Sequence, residues 1–119
     1  MSEPDHAWLA PRAEIFKALG HPTRLYIVQE LRAEPRCVSD LTSRVGADTS
    51  TVSKHLSVLK NAGVVYATRE GSTVYYRLAC DCLGQMVDAA NVIVRQKAER
   101  AASADRAADG PVGHRPIHN

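Results

Sequence analysis

Residues 49–78 read TSTVSKHLSVLKNAGVVYATREGSTVYYRL, and within this stretch the hydrophobic period changes once, from that of a helix to that of a strand. Val52, Leu56 and Leu59, with Val58 beside them, recur at spacings of three and four and make one apolar stripe. Asp48 or Thr49 can cap the amino end by accepting from orphan backbone N–H groups. Gly63 stands where a left-handed residue closes a helix after Asn61 and Ala62. A helix is therefore expected over about 49–61. Beyond Gly63, Val64, Tyr66 and Thr68 alternate with Val65 and Ala67, then Glu70, Gly71 and Ser72 form a turn and Thr73–Leu78 returns. That pattern predicts a hairpin.

The non-apolar face of the helix carries Ser50, Thr51, Ser53, Lys54, His55 and Lys60, with no carboxylate among them. Nothing there repels phosphate, and short hydroxyls at the helix start can approach base edges, so the face suits a DNA major groove. Lys54, Lys60, Arg69 and Arg77 stand against Glu70 alone in residues 49–78, although the whole chain is only +2. Positive charge is thus gathered where a helix and wing would meet DNA, with Arg69 and Arg77 available for phosphates.

Working outward, Trp8, Leu9, Ile15, Phe16 and Leu19 share one broad face, so a first helix is expected from about His6 to Leu19, ended by Gly20. Pro22 fits the first turn of a second helix running to Ala33, with Leu25, Val28 and Leu31 on its buried side. His21 reads as a cap or packing residue and Arg24 as a tie between helices. Pro35 breaks the chain, and Val38–Val45 forms a short helix on Val38, Leu41 and Val45. Gly46, Ala47 and Asp48 then make a tight turn into the helix over 49–61. The result is a helix-turn-helix.

A last helix is expected from Asp81 or Cys82 to about Ala101, with Leu83, Met86, Val87, Ala90, Ile93 and Val94 on one stripe. Such a stripe far from the helix-turn-helix suggests, with the first helix, a dimer interface. The expected fold is a mainly α (α+β) winged helix-turn-helix of order α-α-α-α-β-β-α. Residues 1–102 form the DNA-binding and dimerisation domain. Residues 103–119, rich in Gly and Pro with no apolar period, are expected to be a disordered tail. At 119 residues and 45% apolar content the chain can build one modest, mostly aliphatic core. No apolar run approaches a membrane span and MSEPDHAW lacks the regions of a signal peptide, so a cytoplasmic protein is expected. Three cysteines in such a chain read as free thiols, metal ligands or redox groups and not as a disulfide framework.

The motifs FKALGHPTRLYIVQEL, CVSDL, STVSKHLSVLKNAGVV and REGSTVYYRL, in this order and spacing, resemble the ArsR/SmtB family of metal-responsive transcriptional repressors over about residues 13–94. The resemblance implies a homodimer through the first and last helices that blocks transcription from an inverted repeat in double-stranded DNA. It maps the family's DNA-reading segment onto Thr49, Ser50, Thr51, Ser53, Lys54 and His55. Arsenic-type members carry a CVCDLC-like motif at the start of the third helix. Here Cys37-Val38-Ser39-Asp40-Leu41-Thr42 keeps only the first cysteine. Zinc-type members place an Asp-x-His pair at the start of the last helix, where this chain has Cys80-Asp81-Cys82, and a second pair near the positions of Ile93 and Gln96. Neither Ile93 nor Gln96 binds zinc well, which argues against that site.

Cys80 and Cys82, two apart at a strand-to-helix junction, can chelate one soft ion in extended geometry, assisted by the helix dipole. Arsenite or antimonite is the first expectation for the inducer, then Cd(II), Pb(II) or Hg(II), with zinc behind them. A third ligand could be Cys37, from either protomer, or a small thiol from solution. His6, His114 and His118 could serve a borderline metal. The rival for these cysteines is a thiol redox or reactive-sulfur switch. A protein-binding module of the same shape is a further alternative. No phosphate-cradling glycine loop, HExxH motif or nucleophile with an orienting base is present, so no enzyme is expected.

Overall fold

The computed structural model describes residues 6–108, and the chain falls into two compact units, one ending at Gly84 and the other beginning at Gln85. The first unit opens with a 3-10 turn, Ala7–Leu9, followed by α1 (Ala10–Leu19), α2 (Pro22–Ala33), β1 (Arg36–Cys37), α3 (Val38–Val45), α4 (Thr49–Asn61), β2 (Val65–Glu70) and β3 (Thr73–Leu78). α5 (Cys82–Ala108) begins in this unit and makes up the described part of the second.

The core of the first unit is aliphatic, as the composition required. Ala18 and Leu19 of α1, Ile27, Val28 and Leu31 of α2, Leu41 of α3, and Val52, Leu56 and Leu59 of α4 are buried with Val64, Val65 and Leu83. Each fully buried Val, Leu or Ile contributes about 1.5–3 kcal/mol of transfer free energy. α4 packs on α1, α2, α3 and β2, so its position is set from several sides at once.

The limits of α4 follow from its ends. Asp48 is the N-cap, its carboxylate accepting from the Thr51 backbone N–H at 2.7 Å. At the other end Gly63 takes φ +83°, donates to the Lys60 carbonyl at 3.0 Å, and lets Val64 donate to the Leu59 carbonyl at 2.9 Å. These two bonds satisfy carbonyls that the last turn would otherwise leave open. The hairpin that follows pairs Val65 with Leu78 through Glu70 with Thr73. Its turn is Gly71-Ser72, with Gly71 at φ +66° and no non-glycine residue at positive φ among the described residues, the pattern of a II′ turn.

The elements and the core depart from the sequence reading in several places. The wing is a three-stranded antiparallel sheet of order β1-β3-β2, because Arg36 and Cys37 pair with Tyr76 and Tyr75. On α2 the buried side is Ile27, Val28 and Leu31, and Leu25, on the flank of that stripe, is only half-buried. On the first helix Leu19 is buried and Ile15 half-buried, but Trp8, Leu9 and Phe16 are exposed. The start of that segment is a 3-10 turn because Pro11, near the beginning of α1, has no N–H to offer the preceding turn. α5 also runs past Ser103 to Ala108, where a tail was expected. The rest of that expected tail, residues 109–119 with His114 and His118, lies outside the described residues.

Candidate nucleic-acid interface and thiol pair

α4 presents Thr49, Ser50, Ser53, Lys54, Ser57, Lys60 and Asn61 on its exposed side, and Thr51 at its half-buried margin. Asp48, the acid at its start, is spent on the cap. It accepts from the Thr51 N–H and from the Ser50 hydroxyl, the latter at 2.9 Å. The backbone hydrogen bond from Thr51, foremost, and the Ser50 bond hold this carboxyl below its ordinary range. Ser53 and Lys54 are exposed, whereas Ser50 must give up its bond to Asp48 before it can donate to an external acceptor.

His55 is turned inward. Its Nδ1 lies 3.3 Å from the Arg24 Nη1, and its ring is 4.6 Å from that of His21, tilted by 49°. Arginine can only donate, so Nδ1 accepts and the neutral ring carries its proton on Nε2. Burial, then the nearby His21 and Arg24, push the His55 pKa down from 6.5. His21 in turn caps α2, its Nδ1 accepting from the Thr23 N–H at 3.1 Å, and Arg24 Nε donates to the Ala18 carbonyl. His21, Arg24 and His55 therefore join α1, α2 and α4. The stripe spacing could have shown this: His55 follows Val52 by three and precedes Leu59 by four, which puts it on the stripe's edge.

On the wing, Arg77 does not stand free as expected. Its guanidinium donates to the Glu70 carboxylate at 2.8 Å and to the Thr68 hydroxyl at 3.1 Å, across the register of β2 and β3. Its charge is answered within the sheet. Arg69, exposed on the edge strand β2, is the wing cation left facing outward.

A second charged cluster escaped the sequence reading. Arg36, 7% exposed, donates to the Glu30 carbonyl at 3.1 Å and to the Asp40 carboxylate at 2.9 Å. Arg44 bridges Asp40 and Glu30 at 3.1 and 2.8 Å. The Arg36 hydrogen bond, foremost, and Arg44 hold the Asp40 carboxyl below its usual range. The cluster ties α2, β1 and α3 together and sets the first helix of the helix-turn-helix. The four-residue steps Arg36–Asp40–Arg44 were the available signal.

The three cysteines fall into two places. Cys80 and Cys82 are joined as a disulfide across the turn that begins α5, with Cα atoms 5.1 Å apart. The Cys82 N–H points at the Cys80 sulfur at 3.1 Å. The turn is closed by Leu83 donating to the Cys80 carbonyl, so it is helical and not extended. Cys37 is a free, half-buried thiol on β1. It pairs with Tyr75, which is three residues of strand, ~10 Å, from Leu78. Among the described residues no three His, Cys, Asp or Glu side chains converge as a metal cluster, so one protomer does not bring Cys37 to the pair. His6 is exposed at the start of the described chain.

A short helix, a tight turn, a polar second helix and a wing define a winged helix-turn-helix. The family model described as "Bacterial regulatory protein, arsR family" matches residues 21–67, and the chain belongs to that family. An uncharacterized HTH-type transcriptional regulator of Mycobacterium tuberculosis, Rv0081, is 38% identical over 93 residues, covering 76% of this chain and 82% of that one. Its crystal structure superposes with a TM-score of 0.70, covering 84% and 99% of the two chains at 36% identity. A cadmium resistance transcriptional regulatory protein CadC homolog of Staphylococcus aureus is 38% identical over 87 residues, 72% of each chain. The HTH-type transcriptional repressor SmtB of Mycobacterium tuberculosis is 40% identical over 84 residues, 71% of this chain and 62% of that one. The solution structure of a homodimeric winged helix-turn-helix DNA-binding domain, Mb0332 of Mycobacterium bovis, has a TM-score of 0.73 at 31% identity, covering 83% and 94%. These relatives are regulators and not enzymes.

Proposed function

We propose that this chain is a DNA-binding transcriptional repressor that works as a homodimer and is released from its operator by chemistry at Cys80 and Cys82. The observation that carries the DNA reading is the exposed, acid-free face of α4, with Arg69 also exposed on the edge strand β2. Thr49, Ser50, Thr51, Ser53 and Lys54 contact bases and phosphates, Arg69 contacts phosphate, and His55 acts by holding α4 in place. Two such helices about a two-fold axis reach successive major grooves roughly 34–36 Å apart, which calls for an inverted repeat. Exposed Val92, Ile93 and Val94 of α5 supply apolar surface for the dimer, in keeping with the homodimeric relative. Footprinting on DNA upstream of its own gene tests this reading. Protection of two half-sites one helical turn apart supports it, and protection of a single site or none contradicts it.

The trigger is a thiophilic metal or metalloid, arsenite or antimonite first and then cadmium, lead or mercury. Two exposed sulfurs on one turn support it, as does a relative named for cadmium resistance. Binding the DNA-free form more tightly lowers operator affinity, and DNA lowers ion affinity by the same factor. A second reading, a thiol redox switch, is favoured by one observation: the two sulfurs are close enough to be joined. Operator release by metal ions under reducing conditions, compared with release by an oxidant alone, separates the two. The described residues contain no helix long and apolar enough to cross a membrane.

A further inference from the structure

A cavity of about 350 Å³ opens between α1, the start of α2 and the carboxyl end of α4, at the lower end of the size range of small-molecule sites. Ala18, Val58 and Ala62 give it an apolar lining, and Lys17, Arg24 and Asn61 bring its donors. All of these residues belong to the first unit. Phe16, the exposed aromatic of α1, lies roughly 160° around that helix from Glu14 and Ala18, at about 100° per residue. A partner that covers Phe16 need not cover the cavity.

The charge a ligand meets there follows from which polar groups are already used. Two helices end at the cavity, and open carbonyls at their last turns would favour a cation. Those carbonyls are answered within the fold. Arg24 Nε donates to the Ala18 carbonyl and Nη2 to the Lys17 carbonyl, the latter at 3.5 Å. Ala62, Gly63 and Val64 donate to the Val58, Lys60 and Leu59 carbonyls. Lys17 meets Glu14 only at 3.9 Å, in an exposed pair of little strength. Of the Arg24 donors, Nε, one N–H of Nη1 and one of Nη2 are engaged, which leaves a second N–H on each terminal nitrogen. A carboxylate takes such a pair as a bidentate partner.

We propose that this cavity is an effector site for a small organic acid with an apolar body. Arg24 and Lys17 hold the carboxylate, and Ala18, Val58 and Ala62 hold the hydrocarbon. Arg24 carries the signal, because its Nη1 lies 3.3 Å from the His55 Nδ1. A carboxylate that draws the guanidinium takes it from the contact that ties α2 to α4. The ligand also rests on Val58, one turn past Lys54 on the same helix. α4 is thereby loosened and operator affinity falls, as far as the ligand prefers the DNA-free form. This trigger rests on the DNA-binding reading above and uses none of the cysteines.

The test uses the full-length, isotope-labelled, reduced protein with phenylbutyrate as probe, and the neutral phenylbutyramide and cationic phenylbutylammonium as comparisons. Phenylbutyrate should shift the backbone NMR signals of Ala18, Arg24, Val58 and Ala62. The amide should bind at least roughly tenfold more weakly, through loss of the charge-assisted bonds, and the ammonium should leave these signals unmoved. Lys17→Gln and Val58→Glu should each weaken phenylbutyrate binding in the same spectra. The anisotropy of a labelled operator should show at least roughly fivefold weaker affinity at saturating phenylbutyrate. Equal binding of the amide or the ammonium, shifts confined to other residues, or an operator affinity unchanged or raised at saturation overturns the proposal. So does a Lys17→Gln protein whose ligand-free operator binding has its salt slope lowered by about 1, since Lys17 would then be a DNA phosphate contact. A ligand-free wild type whose operator affinity does not vary with salt overturns the DNA-binding reading and with it the effector role, whatever the spectra show.

Discussion

His55 and Lys54 are neighbours in sequence and do opposite things, because one helical step carries the chain from the margin of the buried stripe to the open face. With its pKa pushed below 6.5 by burial first, His55 binds a proton more weakly in the folded than in the unfolded chain. Stability therefore rises with pH through this group. The contribution is fully present above about 6.5, the unfolded value, and is lost as pH falls toward the folded pKa. Thermal unfolding of the wild type should show a falling Tm from neutral pH downward, and His55→Gln should flatten that part of the curve. An unchanged pH profile in the variant would remove His55 from the packing role. Polarity alone made both roles look alike in the sequence; only the spacing of His55 from Val52 and Leu59 marks it as the one that leans on the core.

α4 was legible nearly to the residue, because both of its ends are signalled by side chains with one available use: Asp48 as cap and Gly63 as the left-handed closing residue. Gly63→Ala should cost about 1–2 kcal/mol, since it places a Cβ at φ +83°. Urea unfolding measures it, and a neutral result would mean that this backbone conformation is not needed. Leu56→Ala, at 1% exposure, should cost roughly 2–5 kcal/mol, and a loss below 1 kcal/mol would show that α4 is not anchored by its stripe. β1 was not legible because a two-residue strand has no period to detect. Its pairing with β3 is held by its own buried residue, Arg36. The end of α5 was missed for another reason. After Val94 the apolar stripe stops, but AERAASADRAA is rich in alanine, and intrinsic propensity carries the helix on to Ala108 where periodicity gives no sign. Cys80 and Cys82 read in the sequence as an extended pair of free thiols; the structure joins them as a disulfide on a helical turn, because the helix expected from Asp81 or Cys82 already draws the Leu83 N–H onto the Cys80 carbonyl.

At the scale of the whole molecule, the DNA face and the thiol turn belong to one chain path: α4 leads into β2, β3 returns, and β3 runs into Cys80 and Cys82. On the proposed reading, a change at the turn acts at the base of the wing that carries Arg69. The long α5 leaves Val92, Ile93 and Val94, at its middle, between 41% and 64% exposed, more apolar surface than a solitary helix needs. Ile93→Glu should convert a dimer into monomer in sedimentation and weaken operator binding by at least roughly tenfold, through loss of the second half-site. A variant that stays dimeric would move the interface off this stretch. The central claim, that the exposed face of α4 binds DNA, is tested most directly by the salt dependence of operator affinity. Fluorescence anisotropy of the reduced protein across a range of salt concentrations should give a steep linear fall of log affinity with log salt. Lys54→Ala should weaken binding and lower that slope by about 1. A wild-type affinity that does not vary with salt, or a Lys54→Ala slope equal to the wild type's, would contradict it.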